Sequence, residues 1–168
     1  LNMVAEVLVL VALPLLLAVA AGWDLASFTI PNSLSLALLA LFAVFAAAAH
    51  LSLPAIGWHL LAGLAGLFIG FALFALGWIG GGDAKLFAAV TLWLGFHDMA
   101  PYALLASVFG GVLTLGLMLM RQCPLPDALA RQGWITRLHD ARSGIPYGVA
   151  LAAGAFALLP STEIFRLA

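Results

Sequence analysis

The chemistry open to this chain is confined to very few side chains. Its 168 residues are 65% hydrophobic and 8% charged, with seven acids and six bases. Glu6, Asp24, Asp83 and Lys85 fall near the ends of apolar runs, and only Asp24 and Asp83 stand in unusual local sequence. An ionisable group inside or bordering a membrane span costs roughly 2.5–3.5 kcal/mol on insertion scales, so each is a functional candidate by default. Two carboxylates about 3 Å apart cannot both ionise cheaply; one keeps a proton while the other acts as a base. Such a pair can set water against a carbonyl without a covalent intermediate, and it titrates with apparent values that belong to both members.

Each aspartate also has a plain structural reading. Asp24 lies in Gly22-Trp23-Asp24-Leu25-Ala26-Ser27-Phe28-Thr29-Ile30-Pro31-Asn32, which contains no Lys or Arg, and alone it reads as an interfacial charge or a cap. Asp83 ends Gly80-Gly81-Gly82-Asp83 and opens the next helix with Ala84-Lys85-Leu86. Three glycines open torsions closed to other residues and let another chain come near. Lys85 could sit against Asp83 or meet an anionic headgroup, and snorkelling to the interface is its simpler account.

The elements that must position these groups are hydrophobic. A soluble domain carries about a quarter charged residues, so this composition excludes a water-soluble fold. A bilayer-spanning helix needs roughly 20 apolar residues, and the length has room for about six. Apolar runs fall at about 3 to 21, 33 to 49, 56 to 78, 86 to 96, 101 to 120 and 145 to 160, bounded by Gly, Pro, Asn or charge. The expected fold is all-α, a polytopic membrane protein of about six transmembrane helices, forming one unit over 1–168. The fourth run is too short to cross unless its helix begins near Asp83, which places that start in the interface. Pro31-Asn32-Ser33 suits a helix start, with Pro31 in the first turn and Ser33 or Asn32 capping. Ala18-Val19-Ala20 resembles a signal-peptidase site, but Glu6 and the lack of Lys or Arg before it favour a retained first span.

Charge placement orients the bundle. The long polar segment at about 121–144 carries Arg121, Arg131, Arg137 and Arg142 against Asp127 and Asp140, so the positive-inside rule puts it in the cytoplasm. Counting back by pairs of spans places the loops at 22 to 32 and 79 to 85 on that side, so Asp24 and Asp83 share one face and both termini lie outside. Trp134, Ile135 and Leu138 give the segment a partly apolar face, interrupted by Arg131. It is either a membrane-resting stretch or a solvated linker. Ala62, Gly66 and Gly70 recur every four residues as a stripe for close helix packing. A formal charge of −1 gives no reason to expect nucleic acid. Cys123 is the only cysteine, which excludes an intrachain disulfide and a multi-thiolate zinc site. His50, His59 and His97, with Asp98 beside the last, fall on the outer side and cannot join the aspartates. No metal or other cofactor is expected in catalysis.

These residues carry a resemblance. Gly80-Gly81-Gly82-Asp83-Ala84-Lys85-Leu86 resembles the Gly-x-Gly-Asp motif of the type IV prepilin peptidase family. Asp24 with Ile30-Pro31-Asn32 resembles the family's first aspartate and its following Ile-Pro-Asn, and Ile145-Pro146-Tyr147-Gly148 its Pro-x-Gly element at the start of the last span. The resemblance implies a membrane aspartic endopeptidase that removes a short, positively charged leader from prepilin-like substrates at the cytoplasmic face of the bacterial inner membrane. It implies Asp24 and Asp83 as the catalytic pair, with Gly80, Gly82, Lys85, Pro31, Asn32, Pro146 and Gly148 as motif residues on the substrate approach. Larger members carry paired Cys-x-x-Cys motifs and also methylate the new N-terminus. Without those cysteines the chain looks like the short, peptidase-only subgroup of tight-adherence (Flp-type) pili.

Three other readings stand beside this one. Buried acids among glycine-broken helices would also suit a small proton-coupled transporter or channel. A non-catalytic pilus assembly factor would need no chemistry, and a presenilin-like protease would cut within the bilayer. The expected partners are a prepilin-like protein and the lipid bilayer, and a homodimer is left open. The roles of Glu6 and of the 121–144 arginines beyond setting topology are also left open.

Overall fold

The structure, a computed structural model, describes residues 3–167, so the end residues of the expected 1–168 unit lie outside it. Among the described residues there is no strand. In lipid a backbone group finds no water, and a helix meets this by satisfying its N–H and C=O groups internally. Helix α1 spans Met3–Ser27, α2 Asn32–Ala48 and α3 Leu53–Ala75. The next helical stretch, Gly81–Met120, is broken at Gly95, where φ is 74° and ψ −179°. We treat its arms as α4 (81–94) and α5 (96–120). The rings of Phe87 and Tyr102 stack with centroids 5.4 Å apart, whereas 15 residues of straight helix would separate them by about 22 Å. The chain therefore doubles back at Gly95, and α4 and α5 form a hairpin. Short helices α6 (Asp127–Ala130) and α7 (Gly133–His139) lead to α8 (Tyr147–Leu158) and α9 (Glu163–Leu167).

Six apolar helices, α1 to α5 and α8, thus make the chain an all-α polytopic membrane protein. Met3–Ser27 and Leu53–Ala75 are long and apolar enough to cross on their own, the apolar Gly81–Met120 stretch supplies both arms of the hairpin, and Asn32–Ala48 and Tyr147–Ser161 are shorter apolar helices. Within α1 the backbone widens to a π-turn at Leu8–Ala12. Pro14 follows at once, and its missing N–H leaves a carbonyl without the usual partner, a common cause of such a local adjustment.

Several local expectations differ from the structure. The stretch read as a loop at 22 to 32 stays helical through Ser27, since nothing before Pro31 forbids helical torsions. The helix stops at Phe28, which takes a left-handed φ of 56° and donates its N–H to Asp24 O at 2.7 Å. Pro31 is the residue flanking α2, not a first-turn residue, and no side chain caps that end. Helix α4 begins at Gly81, as its short run requires. At about 21 Å it is still shorter than the roughly 30 Å apolar core, but the shortfall lies at the end opposite Asp83. There Gly95 is level with His59 of α3, so residues 53–58 overhang the hairpin.

The segment 121–144 is a folded strap. Arg121 donates from Nε to Leu138 O at 3.0 Å and from Nη2 to Gly144 O at 2.7 Å, tying its two ends together. Trp134 is exposed, and Ile135 and Leu138 are half-buried. Arg142 hydrogen-bonds Asp140 and holds its carboxyl below the ordinary carboxylate range.

Between helices, packing depends on close approach, because lipid is as apolar as the side chains. The stripe of Ala62, Gly66 and Gly70 is buried and faces α4. A Cβ built on Gly66 would collide with Thr91 Oγ1, and one on Gly70 would lie 2.9 Å from Ala84 O. On the other side of the hairpin, a Cβ on Gly154 of α8 would sit 2.9 Å from Ala106 N of α5. Helix α2 is fastened by Trp93 of α4, fully buried against Phe42 and Phe45, whose indole Nε1 donates to Leu38 O at 3.0 Å. Overpacking a close contact typically costs about 1–3 kcal/mol. Gly70→Val is therefore expected to destabilise the protein by that amount in detergent-unfolding titrations, while Gly111→Val, where a Cβ meets nothing within 4 Å, stays within about 0.5 kcal/mol.

Candidate active site

Asp24 sits in the last turn of α1 and is 4% exposed. Its Oδ2 accepts a 2.7 Å hydrogen bond from Gly148 N. Pro146 flanks the start of α8, so Gly148 is in the first turn, where backbone N–H groups have no partner inside the helix. Helix α8 thus offers its electropositive end to a carboxylate on α1. This works only at very short range. A Cβ on Gly148 would lie 2.9 Å from Asp24 Oδ2 and 2.8 Å from Ile30 Cδ1.

Asp83 occupies the first turn of α4 and is 8% exposed. Its Oδ2 accepts from Gly80 N at 3.0 Å, closing the helix start on itself, while Oδ1 is buried without a hydrogen-bond partner among the described residues. The triglycine does not supply unusual torsions: the positive-φ glycines are Gly77, Gly95 and Gly144. It supplies room. A Cβ on Gly82 would lie 3.1 Å from Ile30 Cβ, and one on Gly80 would lie 3.0 Å from Asp83 Oδ2.

Ile30 is the wedge that joins these parts. The left-handed turn at Phe28 brings the chain back over the bundle, and buried Ile30 enters between Gly82 and Gly148. Pro31 then flanks the start of α2, and Asn32 Oδ1 accepts from Lys85 Nζ at 2.8 Å. Lys85 is exposed but tethered to Asn32. Every motif residue expected on the substrate approach therefore gathers at one end of the bundle. The sequence reading missed Ile30 as a spacer and the Gly148 N–H as a donor; paired glycines opposite a branched apolar residue were the available signal.

Asp24 and Asp83 line one cavity of ≈ 290 Å³, with Ile30, Gly80, Gly82 and Lys85 among its walls. An apolar cleft of ≈ 460 Å³ lies beside it on α2, α3 and α4, sharing Lys85. It is lined by no acid, whereas both aspartates line the smaller cavity. Two carboxylates facing one polar cavity can share a proton and poise water. The histidines lie elsewhere. His59 Nδ1 donates to Leu92 O and His97 Nδ1 meets Asp98 Oδ1, each at 2.8 Å, towards the far end of α4. Among the described residues no three His, Cys, Asp or Glu form a metal-binding group.

Residues 11–115 match the model of the type IV leader peptidase family, a stretch that includes both aspartates and stops short of Pro146 and Gly148. A prepilin leader peptidase/N-methyltransferase of Bacillus subtilis (strain 168) is 35% identical over 125 residues, covering 68% of this chain and 48% of the relative. One from Aeromonas salmonicida (strain A449) is 38% identical over 66 residues, covering 36% of this chain and 23% of that protein. The chain thus spans about half the length of the first relative and about a quarter of the second. No solved structure is a significant match.

Gly148→Ala tests the link between first and last helices. The added methyl must push Asp24 or Ile30 aside, so stability falls by about 1–3 kcal/mol in detergent-unfolding titrations. Gly144→Asn changes no packing, but Gly144 has φ 78° and ψ −156°, a region essentially closed to residues with a side chain, so the substitution is expected to cost about 1–3 kcal/mol through backbone strain alone.

Proposed function

Since the chain belongs to the type IV leader peptidase family, we propose that it is a membrane aspartic endopeptidase that removes the N-terminal leader from prepilin-like substrates. The observation that carries this reading is the meeting of Asp24 and Asp83 in one cavity, each with a carboxylate oxygen on a helix-start N–H. The ionised member takes a proton from water as the water oxygen bonds to the scissile carbonyl carbon. The protonated member hydrogen-bonds to the carbonyl oxygen and offsets its developing charge. The carbon–nitrogen bond then breaks, the leaving nitrogen takes a proton from the pair, and a carboxylic acid and a free amine remain. Gly80 and Gly82 keep the approach to Asp83 open, Ile30-Pro31-Asn32 and Lys85 form its rim, and Pro146 and Gly148 present the donor that holds Asp24.

The site works at the cytoplasmic face of the bacterial inner membrane. The arginine-bearing strap leaves α5 and enters α8 at the end of the bundle that holds both aspartates, and the positive-inside rule places that strap in the cytoplasm. Both acids lie in end turns, which favours surface hydrolysis over a proton relay through the bilayer centre. A lipid bilayer surrounds the unit, and a pilin precursor is its protein partner. The short peptidase of tight-adherence pili is the subgroup this reading favours, and leader removal is the sole activity proposed.

Co-expression of a prepilin-like precursor with Asp24→Asn or Asp83→Asn tests the assignment, with processing followed by mass spectrometry of the new N-terminus. Loss of acid–base catalysis is expected to slow cleavage by about 10²–10⁴-fold while membrane insertion and melting midpoint stay near wild type. Undiminished leader removal by either variant would falsify the roles given to the pair.

A further inference from the structure

Two buried polar side-chain atoms lack a hydrogen-bond partner among the described residues: Asp83 Oδ1 and Tyr102 Oη. One is an acceptor and the other a donor. Buried groups of this kind are uncommon, and each calls for a reason such as strain or a catalytic role.

Their placement supplies the reason. Tyr102 belongs to α5, the arm that folds back along α4, and is 0% exposed. Its ring stacks on Phe87 with an interplanar angle of 17°. Phe87 lies one helical turn beyond Asp83, and residues four apart share a helix face. The stack thus layers Tyr102 against the turn adjoining the carboxylate. Beside this turn lies a cavity of ≈ 160 Å³ lined by Asp83, Phe87, Ala106 and Leu151, with Ser107 and Tyr147 also on its wall. A tyrosine placed only for bulk could be phenylalanine at no loss, because an unpartnered buried hydroxyl gives up its hydration for nothing.

We infer that Tyr102 is a positioning residue for Asp83: its hydroxyl donates to Asp83 Oδ1, by a small side-chain movement or through one water, when substrate occupies the cavity. The inference rests on the peptidase reading. With Gly80 N–H on Oδ2 and the Tyr102 hydroxyl on Oδ1, the carboxylate is held at both oxygens and cannot turn about its last bond. Each oxygen keeps a second lone pair for the reaction. The resting gap then closes as catalytic hydrogen bonds commonly do on formation of the working complex.

The test is Tyr102→Phe in the purified full chain, assayed on a prepilin-like precursor beside wild type and Asp83→Asn. A lost hydrogen bond to a charged group corresponds to about 10–100-fold in rate. The expected result is a kcat lower by that factor with KM near wild type. The melting midpoint is expected to be unchanged or raised, since the substitution deletes an unpartnered hydroxyl. Wild-type kcat in Tyr102→Phe overturns the inference. So does a fall in melting midpoint, which would mean that the hydroxyl has a structural partner. Failure of the wild-type protein itself to cleave the precursor is the separate result that removes the peptidase reading, and the inference with it.

Discussion

A carboxylate on a membrane helix must find hydrogen-bond donors, and the arrangement of this bundle follows from where those donors are. Helix starts supply them, because their first N–H groups have no intrahelical partner and carry the positive end of the helix dipole. Asp83 uses the start of its own helix, through Gly80 N. Asp24, at the end of its helix, must borrow from elsewhere and takes Gly148 N of α8. That 2.7 Å contact joins the first and last spans and sets how close they come. The favourable interaction at a helix start is worth about 0.3–2 kcal/mol, less than the roughly 2.5–3.5 kcal/mol cost of a charge in the middle of a span. Capping alone could not hold the aspartates in the bilayer centre, so they lie in end turns beside a polar cavity.

Small residues make this geometry attainable. Gly148 and Gly82 leave space for Ile30, Gly66 and Gly70 bring α3 onto α4, and Gly154 brings α8 onto α5. In lipid such close backbone approach takes the part that hydrophobic burial has in water. The hairpin at Gly95 lays α5 along α4 and so places Tyr102 beside the turn that carries Phe87. The buried Trp93 indole, bonded to Leu38 O, ties the same hairpin to α2. The site therefore combines helix ends, which carry both aspartates, with the short turn at 28–31 that inserts Ile30.

Much of this was legible in the residues. The apolar runs marked six helices, parity put both aspartates at one end, and the Gly80–Asp83 and Ile30–Asn32 stretches belong to the cavity or its rim. What escaped depends on three-dimensional neighbours. Gly22 to Ser27 reads as loop because it is glycine-led and ends in polar residues, yet it contains no stop, and the break falls on Phe28 in a torsion that no sequence rule assigns to phenylalanine. The triglycine reads as a place for unusual torsions and for close approach of another chain; only the second holds, since Gly81 and Gly82 are helical and admit Ile30 by lacking side chains. The Gly148 donor is a backbone atom 124 positions from its acceptor and leaves no mark on composition. Tyr102 sits inside an apolar run, where nothing sets it apart until the hairpin stacks it on Phe87, one turn from Asp83.

The central claim is that Asp24 and Asp83 face one another across a single cavity at one membrane surface. It is tested most directly by thiol cross-linking in the full-length chain carrying Asp24→Cys, Asp83→Cys and Cys123→Ser, using a short bifunctional maleimide in native membranes. The account predicts a rapid intrachain cross-link, with both cysteines reached from the cytoplasmic side. Labelling of the two from opposite sides, with no cross-link, would contradict it.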